Sequence, residues 1–142
     1  MKTELLALTI LSGLISPATA MAQKASPPPT TYVASVDPSA FHKAPLEHKK
    51  LGVTVSPASV RLITPGVDKF SIYPLLGPPH FGEGITRRWN YVLFFPVAPG
   101  SVERVRCRMQ IRFERQRGRY SVTVSEVIWQ EQSCADRVAA AS

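Results

Sequence analysis

The chain has 142 residues, with 17 Lys or Arg against 10 Asp or Glu, a formal excess of +7. That length supports one domain with a modest core and argues against several. The charge points to acidic partners, and the two cysteines and three histidines lack the spacing of a zinc site.

Residues 1–22 read as a signal peptide. Lys2 supplies the positive start, although Glu4 is an untidy neighbour, and Leu5 to Ile15 is an apolar run too short to span a bilayer. Ala18-Thr19-Ala20 and Ala20-Met21-Ala22 both fit small-x-small cleavage, and cleavage after Ala22 is expected. No Cys stands there to carry a lipid. The leader removes one charge of each sign, so the mature chain keeps its +7. Export implies a bacterial envelope protein of the periplasm. It argues against nucleic acid and leaves lipid headgroups, lipopolysaccharide phosphates or an acidic protein face as the anionic partner.

Residues 23–50 read as a Pro-rich flexible arm. Pro27-Pro28-Pro29 suits neither helix nor central strand, His48-Lys49-Lys50 is a small basic cluster, and no apolar period is sustained. Phe41 and Leu46 are candidates to dock on the domain or a partner.

The folded domain is expected over 51–136, with 137–142 a disordered tail. Val53 and Val55 flank Thr54 in a short strand pattern. Ser56-Pro57 then opens a helix, Ser as N-cap and Pro at the first position. Val60 and Ile63 form its apolar edge, and Thr64-Pro65-Gly66 ends it. A second short helix starts at Asp68, carries Phe70, Ile72, Tyr73, Leu75 and Leu76, and stops at Gly77-Pro78-Pro79. Pro74 interrupts it, so a kink or a fresh start is expected there.

From Trp89 the pattern turns to β. Trp89, Tyr91, Leu93 and Phe95 share one face, with Asn90, Val92 and Phe94 on the other. Pro96 ends the run and Ala98-Pro99-Gly100 makes a turn. The second strand, Val102 to Arg115, points Val105, Cys107, Met109, Ile111 and Phe113 one way. Arg104, Arg106, Arg108, Gln110, Arg112 and Glu114 point the other way. Arg117-Gly118-Arg119 turns the chain into a third strand, Tyr120 to Gln130. There Tyr120, Val122, Val124 and Ile128 share a face while Val127 and Trp129 fall opposite, so register or burial changes partway.

These elements predict an α+β domain: two short N-terminal helices packed on a three-stranded antiparallel β-meander, one sheet face on the helices and the other in water. An even cysteine count in an exported chain predicts a Cys107–Cys134 disulfide. Cys107 faces inward, and Cys134 follows the neighbouring strand. A loop of that length contributes roughly 3–4 kcal/mol in the chain-entropy model.

Thr64-Pro65-Gly66-Val67, Tyr73, Leu75-Leu76-Gly77-Pro78-Pro79-His80-Phe81, Trp89-Asn90-Tyr91 and the cysteine pair together resemble the SmpA/OmlA (BamE-like) family of outer-membrane assembly. The likeness covers about residues 60–134 and is strongest to the branch found fused to OmpA-type domains. The missing lipobox Cys puts a lipid tether in doubt, and with no OmpA-type domain following, a peptidoglycan-binding role is not carried over. The resemblance implies a non-enzymatic periplasmic scaffold peripheral to the outer membrane, with outer-membrane or periplasmic proteins as partners. A second reading is an accessory subunit of an envelope-spanning secretion or conjugation machine.

The sharpest candidate site is the row Arg104, Arg106, Arg108 and Arg112. Alternate strand residues lie about 7 Å apart, a spacing that suits successive phosphates or carboxylates; the bland alternative is a solvated sheet face. His80 is either a partner contact or a structural group in its turn, and Trp129, off the main apolar face, is a candidate exposed anchor. Gly82-Glu83-Gly84 precedes no helix and makes no phosphate loop. No triad or carboxylate pair is evident, so neither catalysis nor a cofactor is expected.

Overall fold

The computed structural model describes residues 31–42, 51–82, 84 and 86–142. The leader, Pro27-Pro28-Pro29, Leu46, His48-Lys49-Lys50 and Glu83 lie outside the described residues.

Strand β1 (Ala34–Val36) is followed by a 3₁₀ turn, Pro38–Ala40. Then come β2 (Val53–Thr54), helix α1 (Pro57–Arg61), a 3₁₀ turn Lys69–Ile72 and α2 (Tyr73–Leu76). β3 (Arg88–Pro96), β4 (Arg104–Arg115), β5 (Val122–Trp129) and α3 (Gln132–Ala139) complete the order. Among the described residues the sheet has five strands, in the order β1-β5-β4-β3-β2. The β3-β4-β5 centre is the antiparallel meander read from the sequence, but β1 and β2 join its two edges in parallel. The three-stranded expectation is thereby corrected. Ala34-Ser35-Val36 is too short to display a period, and its pairing partner lies about ninety residues away in sequence.

The caps explain the helices. Ser56 accepts from the Ala58 N–H at 3.2 Å, with Pro57 at the first helical position. Asp68 accepts from the Phe70 N–H at 2.8 Å. Pro74 does not kink a continuous helix. The chain runs one 3₁₀ turn from Asp68 and starts afresh at Tyr73, placing Pro74 where a helix needs no N–H. Gly77 ends it at φ 75°, where a side chain would be strained.

The core lies between the sheet and the helices. Trp89, Tyr91, Leu93 and Phe95 of β3 meet Cys107, Met109, Ile111 and Phe113 of β4, beneath Val60, Ile63, Ile72 and Leu76. Two residues depart from the expected face: Tyr120 precedes β5 and is 95% exposed, and Ile128, opposite Gln110, is buried on the outer side of the sheet.

β5 contains the register change. Arg112 pairs with Glu126 and Phe113 with Val124, so Ser125 is an extra residue without an opposite number. Its hydroxyl donates to the Arg112 carbonyl at 3.1 Å. This bulge resets the parity, so Val124 on one side of it and Val127 and Trp129 on the other all reach the same core.

The last helix, α3, reaches Ala139 and so takes in the first residues of the 137–142 segment expected as a tail. It buries Cys134, Ala135 and Val138 on one face and packs beside α1. Cys107 and Cys134 form the expected disulfide. Among the described residues no helix is long and apolar enough to cross a membrane.

Candidate partner-binding face

Odd positions of β4 enter the core, so its even positions build the opposite face. That face is not open along its length. After β1, residues Asp37–His42 leave the sheet edge and cross over β4. Asp37 starts the crossing by accepting from the Ser39 N–H at 3.0 Å and the Ser39 hydroxyl at 2.6 Å. The hydroxyl bond is the main reason the Asp37 carboxyl sits below its ordinary range. Further on, Gln110 Nε2 donates to the Ala40 carbonyl at 3.4 Å, and Arg108 Nη1 to the His42 carbonyl at 2.7 Å. Phe41 is buried, with the Arg108 guanidinium 5.3 Å from its ring centre. The described part of the expected flexible arm is therefore a strap fastened to the sheet, and Phe41 docks on the domain.

The arginine row divides accordingly. Arg112 donates to Gln110 Oε1 at 3.0 Å and pairs with Glu126 at 3.3 Å, while Glu126 also accepts from the Ser35 hydroxyl at 2.9 Å. Gln110 completes this network by donating to Asn90 Oδ1 at 3.1 Å. Burial, then the charge of Arg106, pulls the Arg108 guanidinium below its ordinary range. Arg108 and Arg112 thus hold β1 and the strap. Arg104 and Arg106 remain exposed, Arg104 leaning on Thr54 Oγ1 at 2.8 Å. Two of the four expected anion contacts are structurally committed because a segment distant in sequence lies across them.

The structure adds a basic end that the sequence reading passed over as a turn. Arg115, Arg117 and Arg119 surround the β4–β5 turn beside the exposed Tyr120. Arg87 and Arg88 stand at the same end of β3, Arg88 directly across from Arg112, and the Arg87 carbonyl accepts from the Phe113 N–H at 2.9 Å. All five arginines are exposed. Among the described residues Arg112–Glu126 is the single ion pair, so these five arginines, with the exposed Glu114 beside them on β4, leave this end with an excess of positive charge. The alternation of Arg around Gly118 was the available signal.

His80 closes the far edge of β3. Asn90 exchanges bonds with Phe81, its N–H donating to the Phe81 carbonyl at 2.8 Å, and its carbonyl accepts from the His80 N–H at 3.0 Å. His80 Nδ1 accepts from the Val92 N–H at 3.2 Å. The Pro-Pro-His-Phe turn therefore satisfies the part of the β3 edge that β2 does not reach. Because Nδ1 accepts, the ring is neutral there, and partial burial lowers its pKa. Its Nδ1 is thereby engaged within the fold.

Trp129 is not an exposed anchor. It is fully buried, and its Nε1 donates to the Tyr32 hydroxyl at 2.7 Å. The Ser125 bulge turns it inward. Burial pushes the Tyr32 hydroxyl up to about 12, against the bond from Trp129. Among the described residues no three His, Cys, Asp or Glu side chains converge to hold a metal.

Residues 52–121 match the family model described as the Outer membrane protein assembly factor BamE domain. The match runs from Gly52, ahead of β2, to the residue before β5, so β5, α3 and Cys134 lie beyond it. No curated protein matches the chain.

Proposed function

We propose, for a chain whose residues 52–121 match the BamE domain model, a non-enzymatic binding role. It acts as a periplasmic scaffold peripheral to the outer membrane and supports outer-membrane protein assembly or envelope integrity. The family match carries this reading. The exposed arginines support it by giving the domain a surface that attracts acidic partners over a distance and orients them on approach. Their separation into the open end of β4 and the β4–β5 turn gives two places of contact, with outer-membrane or periplasmic proteins as the partners. Anionic lipid or lipopolysaccharide headgroups suit the same charges.

The test is crosslinking in cells from photoreactive residues placed at Arg106 and Arg117. Recovery of outer-membrane β-barrel proteins or their assembly factors is expected. Recovery of soluble proteins alone overturns the reading.

A further inference from the structure

β5 is shorter than β4. Its ladder pairs Val122 with Arg115 at one end and Trp129 with Met109 at the other. One further bond, from the Gln130 N–H to the Arg108 carbonyl at 3.1 Å, closes it. The chain then turns into α3, while β4 runs on to Arg104 with only β3 beside it.

Parity identifies the groups left over. On β4, the odd residue Phe113 donates toward β3, to the Arg87 carbonyl, whereas the even residue Arg108 accepts from the β5 side. The N–H and C=O of Arg104 and Arg106 therefore point past the end of β5. Among the described residues neither has a backbone partner there. Both side chains are exposed, and neighbouring Val102 is 94% exposed. Each of the two arginines offers one donor and one acceptor in strand geometry, which is the template for an added strand.

The charge selects the occupant. A second copy pairing through this edge sets Arg104 and Arg106 against each other's counterparts, and like charges directly opposite are destabilising. Neither arginine has a carboxylate partner among the described residues. We propose that the open end of β4 takes an added strand from a partner protein, an extended segment with acidic residues at every second position. Its acids lie beside Arg104 and Arg106 on the outer face, and its alternate residues lie toward Val105. This stands on backbone geometry and charge, independently of the assembly role.

The probe is a labelled peptide of alternating glutamate and valine, titrated into the intact disulfide-bonded protein. Saturable binding is expected, weakening with salt, and amide hydrogen exchange at Arg104 and Arg106 slows by about tenfold or more in the complex. R106Q keeps the backbone donor and weakens binding through charge alone. R106P also removes an N–H that the β3 ladder does not use, so it folds as an edge proline and loses a further factor of about ten or more. A matching lysine–valine peptide does not bind. The proposal is overturned by no binding of the acidic peptide, by equal binding of the lysine peptide, or by folded R106P binding like R106Q. Unchanged exchange at Arg104 and Arg106 overturns it on the wild-type protein alone, whatever the proline variant does.

Discussion

Reducing the Cys107–Cys134 bond removes a link between residues 27 apart in sequence. In the chain-entropy model that loop contributes about 3.5 kcal/mol at 25 °C by restricting the unfolded chain. Both half-cystines are core members, Cys107 at 1% and Cys134 at 0% exposure. Replacing both with Ala therefore adds on the order of 1 kcal/mol for each vacated volume. With a urea dependence of about 1–3 kcal/mol per molar for a small domain, reduction lowers the unfolding midpoint by roughly 1–3 M. The effect is also local. α3 has eight residues and no side-chain cap at Glu131, and a helix that short is marginal without tertiary support. Hydrogen exchange in α3 should therefore rise on reduction before exchange in β4 does. Urea titrations of oxidised and reduced protein, with residue-resolved exchange, measure both effects. A stability loss under about 1 kcal/mol, or α3 amides unchanged by reduction, refutes the claim that the disulfide holds α3 to the sheet.

Tyr32→Phe leaves the buried Trp129 N–H without an acceptor and should cost about 1–3 kcal/mol; denaturation within about 0.5 kcal/mol of wild type contradicts a docked strap. His80 has a folded pKa below its ordinary 6.5, so its contribution is complete above pH 6.5 and shrinks as pH falls, because the unfolded chain binds the proton first. His80→Asn keeps an acceptor for the Val92 N–H, and its stability should vary less than wild type between about pH 6.5 and 5; equal slopes rule out His80 as the source. Deleting Ser125 forces Val127 and Trp129 toward the outer face and should cost more than about 4 kcal/mol or abolish cooperative unfolding. Ser125→Ala loses one hydroxyl bond and about 0.5–1.5 kcal/mol. Calorimetry of the pair checks this, and similar stabilities for the two refute the bulge as the device that sets parity.

The parts of the fold legible in the sequence were those where one local rule acts alone. β4 alternates cleanly because one face is core and the other is outer, and Ser56, Asp68 and Gly77 mark helix ends through their own backbone chemistry. The cysteine pairing followed from the even cysteine count, the expected export and the inward position of Cys107. Trp129 was misplaced because a single extra residue inverts parity, and Ser125 carries no signature that distinguishes it from a regular strand residue. β1 was hidden because three residues show no period, and its stability comes from β5. The same distant segment altered the candidate site. The row Arg104 to Arg112 is real as a row, but the sequence does not reveal that Ala40 and His42 lie over its middle. The basic turn was visible in Arg115, Arg117 and Arg119 and was read only as punctuation.

The strap sets an order of events along the chain. Tyr32 bonds Trp129 and Ser35 bonds Glu126 across separations of 97 and 91 residues, so the first described segment to be synthesised is completed by the last strand. Until β5 emerges, β1 has no strand to pair with, and residues 31–42 are left with the β4 contacts that Arg108 and Gln110 make with Phe41, His42 and Ala40. Contacts of such long range are slow to form and expose strand edges while they wait. A chain interrupted before Trp129 therefore loses its beginning as well as its end.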